Sequence, residues 1–537
     1  MNVFKASAMG WAIRLSCFIG LTHTIAGQGF NDWANKQGRE EMILIHAGKE
    51  SEAIERYEKA LKLPTQPLEA LFGLAVAHAR LGHGDTALDY VDRAVAAGLP
   101  FERFLAGPVE MLEPLYALPG FQRRKQHNSP LLIHGPMLGA LSDRSARFWL
   151  RTARPCHVEV VVSQVGRNLY GKNPIKATGR AGESDDRTGL IEVRGLKANQ
   201  LYTYQVKLDG GVVWEGHHFR TFPKKHHAAA FRLAFGGGAA FTPDYERIFT
   251  TIKSRQPLAF LQMGDNIYVD QPMLPSVQRY GYYRRQHSSP YRSLTASLNV
   301  TAIWDDHDFG DDDCWYGPDP NLPTFKRDVL RVFKENWNNH GYGQGEESPG
   351  CYHDFYIGDV HIIMLDGRYY RSDPKRIKDR SMLGPDQLQW LFRTLENSRG
   401  VFKVLASPVP FASGVKPGSL DPWDGYPEER EAIFTHIHQH QIEGVVLLAA
   451  DRHRSDAWRI DRPGAYPFYE FMSSRLTNQH LHPVMEGSLF GYNAKRSFGL
   501  VEFDTTLRDP ELTYRIITID DEAVYALKVR RSELSIP

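Results

Sequence analysis

Residues 259–270 read AFLQMGDNIYVD, an apolar run that ends in a glycine and then a series of polar residues. Apolar runs that lead directly into polar residues recur, without the glycine, in TAIWDDHDFGDDD at 301–313 and in VVLLAADRHRSDAW at 445–458. Short apolar runs that alternate with helical patterns are typical of buried strands in a layered α/β domain. Polar side chains at the carboxyl ends of such strands commonly form the functional site. The pattern therefore predicts an α/β domain over 228–537 with its chemistry at one sheet edge.

Acidic residues follow four of these apolar runs, and a histidine accompanies two of them. The positions are Asp265, Asp305 to Asp308 around His307, Asp366, and Asp451 beside His453. Each aspartate could simply cap the helix after it, but the recurrence at four strand ends favours a shared site. Carboxylates gathered at one edge would repel one another in a low-dielectric cleft, and cations relieve that repulsion. Asp, His and Tyr side chains suit hard or borderline metals.

The composition excludes several functional classes. The 537 residues correspond to about three or four structural units. Lys and Arg number 64 and Asp and Glu 63, so the net charge of +1 gives no argument for a nucleic-acid or anionic-membrane partner. The four cysteines are scattered without a CxxC pair, which argues against a disulfide framework or a Cys-rich zinc site.

Residues 130–223 have a different sequence pattern, in which runs of residues that favour β-strands are separated by turn signals such as Asp209-Gly210-Gly211. Several short strands at this spacing predict an antiparallel sandwich. The phrase GLKANQLYTYQVKLDG at 195–210, followed by FRTF, is similar to the fibronectin type III-like domains that precede the catalytic unit in several phosphatases. We therefore expect a fibronectin III-like β-sandwich in this part of the chain.

A repeat stands out in residues 30–125. Three small residues recur 34 positions later, namely Gly48, Ala53 and Ala60 as Gly82, Ala87 and Ala94. This period resembles the tetratricopeptide helical repeat. Two repeats are fewer than a free-standing solenoid needs, so we expect the helices to pack on the rest of the protein. A peptide-binding groove, giving protein contacts through the repeats, is the alternative.

The first 27 residues combine positive charge from Lys5 and Arg14 with a short apolar stretch, Leu15–Leu21. Together with the small-residue sequence Thr24-Ile25-Ala26, this is typical of a signal peptide. An ordinary amphipathic helix is the alternative. No later run approaches the roughly 18 apolar residues that span a bilayer. If the signal peptide is present, we therefore expect a secreted or periplasmic protein.

Five motifs resemble one known family when they are taken in order. They are MGDNIYVD, IWDDHDFGDDD, MLDGRYYRS, SMLGPDQLQWL and LLAADRHRSDAWRI. Together they are similar to the metallophosphatase domain of the alkaline phosphatase D (PhoD-like) family, over roughly residues 135–505. The resemblance implies a calcineurin-like metallophosphoesterase, an α-β-β-α sandwich that holds several metals. It also implies hydrolysis of phosphate monoesters or diesters, with iron and calcium as the metals.

The same resemblance implies roles for individual residues. Asp265 would bridge two metals, and Tyr268 would bind the trivalent one. Asp451 and His453 would supply further ligands. His307 stands where these enzymes place a histidine that protonates the leaving oxygen or steadies the phosphoryl group.

Arginines near these motifs are candidate phosphate clamps, because a guanidinium binds phosphate through two parallel hydrogen bonds. Arg452 is the first candidate, since it lies between two implied ligands. Arg368 and Arg371 follow it, although an arginine of this kind often forms a salt bridge instead.

Two departures from the family pattern affect the metals. Gly238 occupies the position where many members have a metal-binding cysteine, so Fe³⁺ lacks a strong ligand. Asp311-Asp312-Asp313 stands where an asparagine ligand is common, and Asp312 can coordinate in its place. Asp306 competes for that assignment. The added negative charge favours a divalent cation such as Ca²⁺.

These residues predict a metal-dependent phosphoester hydrolase in which a metal-bound hydroxide attacks phosphorus. No GxSxG motif or comparable serine nucleophile is present. The glycine-rich GGGAAF at 236–241 lacks the GK[ST] ending of a P-loop. The alternative is a catalytically weak phosphoester-binding or scaffold protein that kept the fold but lost the cysteine ligand.

Overall fold

A computed structural model describes residues 38–63, 68–128, 130–166, 174–376, 378 and 380–536. The predicted signal peptide lies outside these residues, so export stays a prediction. Sequencing the amino terminus of the mature protein would test it, because we expect that terminus near Gly27. None of the described helices is long and apolar enough to cross a bilayer.

Residues 38–128 are helical. The helices are α1 (Arg39–His46), α2 (Glu50–Leu61), α3 (Leu68–Arg80), α4 (Gly84–Ala96), α5 (Glu102–Ala106), α6 (Val109–Tyr116) and α7 (Pro119–His127). The 34-residue repeat falls on α2 and α4, which both pack on α3. Ala53, Ala60, Ala87 and Ala94 are buried, so the repeated small residues lie where helices approach closely. Assignment to the tetratricopeptide family stays a prediction.

Two antiparallel sheets follow the helices. Their strands are β1 (Leu132–Gly139), β2 (Ser145–Thr152), β3 (Cys156–Gln164), β4 (Ile175–Ala181), β5 (Thr188–Arg194), β6 (Leu201–Leu208) and β7 (Gly211–Arg220). One sheet has the order β1-β2-β5 and the other β4-β3-β6-β7. Phe148 of the first sheet packs on Tyr204 of the second, with ring centroids 4.7 Å apart. The antiparallel sandwich agrees with the prediction, whereas its likeness to fibronectin type III stays a prediction.

The remaining residues form an α/β domain. Its strands are β8 (Ala230–Gly236), β9 (Ala259–Met263), β10 (Asn299–Ile303), β11 (His353–Ile357), β12 (Val360–Met364), β13 (Phe402–Ala406), β14 (Val445–Ala449), β15 (Ser455–Ile460), β16 (Phe468–Ser473), β17 (Phe490–Tyr492), β18 (Ser497–Asp504), β19 (Glu511–Thr518) and β20 (Ala523–Arg530). Its helices are α8 (Ile248–Ser254), α9 (Pro275–Gln286), α10 (Ser289–Thr295), α11 (Asp306–Phe309), α12 (Phe325–Asn336), α13 (Gly384–Glu396) and α14 (Pro427–Gln439).

These strands form two mixed sheets. The first has the order β10-β9-β8-β18-β19-β20 and the second β11-β12-β13-β14-β16-β15-β17. Phe471 of the second sheet stacks on Tyr514 of the first, with centroids 4.4 Å apart. The two sheets are joined where β8 and β16 end, because Gly237 donates a backbone hydrogen bond to Ser473 at 3.1 Å. This junction brings the carboxyl ends of β9, β10 and β14 together.

The amino-terminal helices pack on the α/β domain and on the sandwich, as the small number of repeats predicts. Arg103 of α5 pairs with Glu69 of α3 at 3.0 Å, and its guanidinium lies over the ring of Tyr280 in α9. Arg187 of the sandwich donates a hydrogen bond to the carbonyl oxygen of Ala106 at 2.7 Å. The helices are therefore held in place by buried polar contacts.

Candidate metal centre

A cleft of about 390 Å³ lies at the joined strand ends. Eight of the residues predicted from the sequence line it: Asp265, Tyr268, Asp306, His307, Asp312, Asp451, Arg452 and His453. Six carboxylates line the cleft, namely Asp265, Asp270, Asp306, Asp312, Asp313 and Asp451. The positive charges among its lining residues are those of Arg39, Lys416 and Arg452, together with His307 when it is protonated. The cleft therefore has an excess of negative charge that cations would balance.

Asp265 and Tyr268 lie at its buried end. The Tyr268 hydroxyl donates a hydrogen bond to Asp265 Oδ2 at 2.7 Å and lies 3.1 Å from His453 Nε2. Asn478 Nδ2 donates to the same hydroxyl oxygen at 2.7 Å. Burial and the neighbouring Asp265 carboxylate raise the pKa of Tyr268 well above its usual value. Three implied ligands and one amide thus share a single polar cluster.

Three of the implied ligands have left-handed backbone conformations. The φ angles are 53° at Asp265, 67° at Asp451 and 46° at His453. This conformation costs roughly 1 kcal/mol or more for a residue with a Cβ atom. Strain of this kind concentrates where side chains must converge for function.

Several buried carboxylate oxygens are available to a cation. Asp265 Oδ1 and Asp451 Oδ2 accept no hydrogen bond from any described residue. Burial raises the pKa of Asp265 well above its usual value and that of Asp451 to about 6. One ligand atom each of Asp265, Asp306 and His307 lies within 4.8 Å of the others. Since buried carboxylate oxygens without hydrogen bonds are costly, the carboxylates of Asp265, Asp306 and Asp451 fit a bound metal.

The aspartate side chains of the acidic loop after β10 point in three different directions. Asp306 faces the cleft and accepts a hydrogen bond from the backbone nitrogen of Asp313 at 2.7 Å. Asp305 points inward to Arg368. Asp308 accepts hydrogen bonds from the backbone nitrogens of Asn266 at 3.0 Å and Ile267 at 3.1 Å, which fixes the loop that carries Asp265.

His307 is held by a chain of charged contacts. Its Nδ1 lies 2.6 Å from Asp270 Oδ1, and Asp270 also pairs with Arg39 of α1. Its Nε2 lies 3.7 Å from Asp312 Oδ1 at the cleft. Burial alone would lower the pKa of His307, but the carboxylates of Asp306 and Asp265 and the hydrogen bond to Asp270 raise it well above its usual value. His307 therefore favours the protonated form.

A family model described as "PhoD-like phosphatase" matches residues 233–504, just over half of the 537-residue chain. The chain belongs to the PhoD-like phosphatase family. This range contains every cleft-lining residue except Arg39. A second model, described as a domain of unknown function (DUF7800), matches residues 129–227, which contain the β-sandwich.

Individual relatives of this PhoD-like chain agree with that membership. Alkaline phosphatase D of Bacillus subtilis (strain 168) is 38% identical, over 49% of this chain and 53% of that protein. The match thus spans about half the length of the curated relative. A solved structure titled "Structure of PhoD" has a TM-score of 0.63 at 18% identity, covering 75% of this chain and 90% of that one. Purple acid phosphatase PPD1 from yellow lupin gives 0.54 at 12% identity, covering 75% and 76%. Both structures support the fold.

Two of the predicted phosphate clamps lie outside the cleft, which corrects their assignment. Arg368 is fully buried, and its guanidinium pairs with Asp305 at 2.5 Å and Asp421 at 2.7 Å. Arg371 is buried beside it and pairs with Asp421. Their charges compensate buried carboxylates, and Arg368 Nη2 also lies 3.6 Å from Asp306 Oδ1 of the cleft. Asp366 is also elsewhere, because it accepts a hydrogen bond from Trp304 Nε1 at 2.7 Å.

Sequence reasoning gave no role to seven cleft residues, although Asp270 and Asp313 belong to the acidic motifs. They are Arg39, Asp270, Asp313, Lys416, Asn478, His480 and His482. Most of them come from segments that do not follow a predicted strand. Lys416 pairs with Asp313 at 2.7 Å, and Arg452 Nη2 donates a hydrogen bond to His482 Nδ1 at 3.0 Å. The HisLeuHis sequence at 480–482 was a local signal for a further ligand pair.

Gly238 is required by its surroundings in this member of the PhoD-like family. Its φ is 65°, and a Cβ atom would lie 2.8 Å from the backbone nitrogen of Arg475 and 3.2 Å from His453 Cδ2. Its carbonyl oxygen accepts a hydrogen bond from the backbone nitrogen of Asn478 at 3.1 Å. A cysteine at this position would therefore need the adjoining backbone to move.

Gly238→Ala is expected to lower the free energy of unfolding by about 2–4 kcal/mol, since it adds both left-handed strain and a backbone clash. Chemical denaturation measures the loss. Gly464→Ala is the matched control, because Gly464 has a φ of 77° and a Cβ atom added there would meet no described atom within 4 Å. Equal losses in the two variants would contradict the close approach at Gly238.

Proposed function

We propose that this chain is a metal-dependent phosphoester hydrolase of the alkaline phosphatase or phosphodiesterase type. The observation that supports it most is the convergence of Asp265, Tyr268, Asp306, Asp451 and His453 in one acidic cleft at the ends of several strands. Family membership supports a phosphatase enzyme, and phosphoester substrates follow from that.

The residues that would hold the metals fall into two groups. Asp265 and Tyr268 form the buried group, which Asp451 joins from the end of β14 in the other sheet and which His453 Nε2 adjoins at the Tyr268 hydroxyl. Asp306, Asp312 and Asp313 form a more exposed carboxylate group, with ligand atoms within 4.8 Å of one another. Carboxylate oxygens suit a hard divalent ion such as Ca²⁺. Metals bound here would lower the pKa of a bound water and neutralise charge on phosphoryl oxygens.

The protein's own cations would orient the phosphoryl group. Arg452 lines the cleft beside Asp451, with Nη1 3.6 Å from Asp451 Oδ2. Lys416 lines the same cleft, and despite burial the carboxylates of Asp451 and Asp421 raise its pKa, so it stays charged. Both can pair with phosphoryl oxygens as negative charge develops.

His307 would act as the proton donor. Asp270 holds the Nδ1 hydrogen, which leaves the Nε2 hydrogen at the cleft next to Asp312. The leaving oxygen takes that Nε2 proton as its bond to phosphorus breaks, and His307 becomes neutral. Arg39 keeps Asp270 ionised and in position. A helix outside the family-matched range therefore supports the site.

Hydrolysis of p-nitrophenyl phosphate and of bis(p-nitrophenyl) phosphate tests this proposal. We expect the purified chain to hydrolyse at least one of them, to lose activity with EDTA, and to regain it with Ca²⁺ or Mn²⁺. The ratio of the two rates would show the preference for monoesters or diesters. Absence of hydrolysis after addition of Ca²⁺, Mn²⁺, Fe³⁺ and Zn²⁺ would favour the phosphoester-binding scaffold instead.

A further inference from the structure

We propose that His453, His480 and His482 form a binding site for a borderline divalent transition metal of the Zn²⁺ class. The site lines the same cleft as the Asp306, Asp312 and Asp313 carboxylates but is a separate group of ligand atoms. It deepens the function proposed above, on which its catalytic use rests. None of the motifs that identified the family contains His480 or His482.

The three imidazoles are close enough to share one ion. One ring nitrogen from each lies within 4.8 Å of the other two. The ring centroids are 5.3 Å apart for His453 and His480, 5.3 Å for His453 and His482, and 4.6 Å for His480 and His482. Zinc–nitrogen bonds of about 2.0–2.1 Å place tetrahedral ligand atoms about 3.4 Å apart. Small side-chain rotations would therefore complete the site, since His480 is exposed and His482 is half-buried.

His453 provides a second, independent observation. The residue is only 7% exposed, and its Nδ1 is buried with no hydrogen-bond partner among the described residues. Its Nε2 is directed at the Tyr268 hydroxyl and lies 3.9 Å from Asp265 Oδ2. A buried imidazole nitrogen without a partner is costly, and a metal ion would satisfy it.

His482 has the electronic state that a ligand needs. Its Nδ1 accepts a hydrogen bond from Arg452 Nη2 at 3.0 Å, so that nitrogen carries a lone pair and no proton. A metal would compete with Arg452 for this lone pair. The guanidinium can then pair more closely with Asp451 or with a phosphoryl oxygen.

The chemistry of the ligands selects the class of metal. Three imidazoles favour Zn²⁺ and similar ions over Ca²⁺, which prefers oxygen ligands. Three protein ligands also leave a coordination position open, as in catalytic zinc sites. The cleft therefore holds a nitrogen-rich group and an oxygen-rich group, and His453 of the nitrogen-rich group lies next to Gly238, where the thiolate is missing.

A second histidine group on the surface supplies a matched control. Glu396, His436 and His440 also bring three ligand atoms within 4.8 Å. There the His436 ring is stacked between Phe392 and His440, with centroids 3.9 Å and 4.2 Å apart. The first group has three histidines and lines the cleft, whereas the second has two histidines and a glutamate and does not line it.

Zn²⁺ binding to the EDTA-stripped full chain tests the site. Calorimetry measures the affinity, and the visible absorption of Co²⁺ bound in place of Zn²⁺ reports on the ligands. The variants are the double substitution His480→Gln and His482→Gln and the control double substitution His436→Gln and His440→Gln. We expect the first variant to bind one equivalent of Zn²⁺ with an affinity lower by roughly 100-fold or more, and to lose the corresponding Co²⁺ absorption band. The control should keep both. Thermal unfolding monitored by circular dichroism checks that each variant is folded.

Wild-type Zn²⁺ affinity and Co²⁺ absorption in the His480 and His482 variant would overturn the site. Loss of the tight equivalent in the control alone would also overturn it. These readouts do not need turnover, so they separate the site from the proposed function. A chain that loses Zn²⁺ as expected but hydrolyses no phosphoester would keep the site and refute the hydrolase.

Discussion

Replacing Asp265 by Asn is expected to lower kcat/KM for phosphoester hydrolysis by roughly 10³-fold or more, which corresponds to about 4 kcal/mol of transition-state stabilisation. Asp265 is buried, receives the Tyr268 hydrogen bond, and keeps its Oδ1 free of hydrogen bonds from described residues. The amide removes a negative charge and cannot serve two cations at once. Bound metal should fall together with activity, and elemental analysis of the same sample measures both effects.

Asp311→Asn is the matched control for this change. Asp311 is exposed on the acidic loop and does not line the cleft. Its substitution removes the same charge from the same region, so metal content and kcat/KM should stay within about threefold of wild type. An Asp265→Asn variant with full metal content and wild-type turnover would remove Asp265 from the site.

Replacing His307 by Gln is expected to reduce kcat by roughly 10²–10³-fold for esters with poor leaving groups. The reduction should be much smaller for p-nitrophenyl esters, whose leaving oxygen needs little protonation. The raised pKa of His307 sets the sign of the pH dependence. The donor is present below that pKa, so wild-type activity on poor leaving groups should fall as pH rises through it. The variant should lack this alkaline decline.

His157→Gln serves as the control, because His157 is an exposed residue of the sandwich. Its kinetics should match wild type at every pH. Equal losses for good and poor leaving groups in His307→Gln would contradict a proton-donor role and would favour a role in positioning alone.

The three regions of the chain could be predicted because each has its own periodicity. Alternation indicated five of the seven strands of the sandwich but neither β1 nor β4, and buried apolar runs indicated β9, β10 and β12 to β14. Strand β1 was missed because all eight of its residues are buried and show no alternation. Strand β17 was missed because it has only three residues.

The site was predictable where a ligand directly follows a strand. Asp265, Asp306 and Asp451 lie two or three residues beyond the ends of β9, β10 and β14, and all three line the cleft. Lys416, Asn478 and His480 come from loops that sequence spacing does not relate to those strands, so only the folded chain brings them together. The sequence also could not show that the Arg368 side chain is buried away from the cleft, because neighbouring residues in a turn after a strand can point to opposite sides of it.

The central claim is that this cleft is a metal centre, and the metal content of the purified wild-type chain tests it most directly. Inductively coupled plasma mass spectrometry of the protein, desalted after incubation with Ca²⁺, Mn²⁺, Fe³⁺ and Zn²⁺, gives the number of ions per chain. We predict at least one tightly bound ion per chain, which Asp265→Asn releases. Fewer than one ion per chain in the wild type would contradict the account and leave the catalytically weak scaffold as the better description.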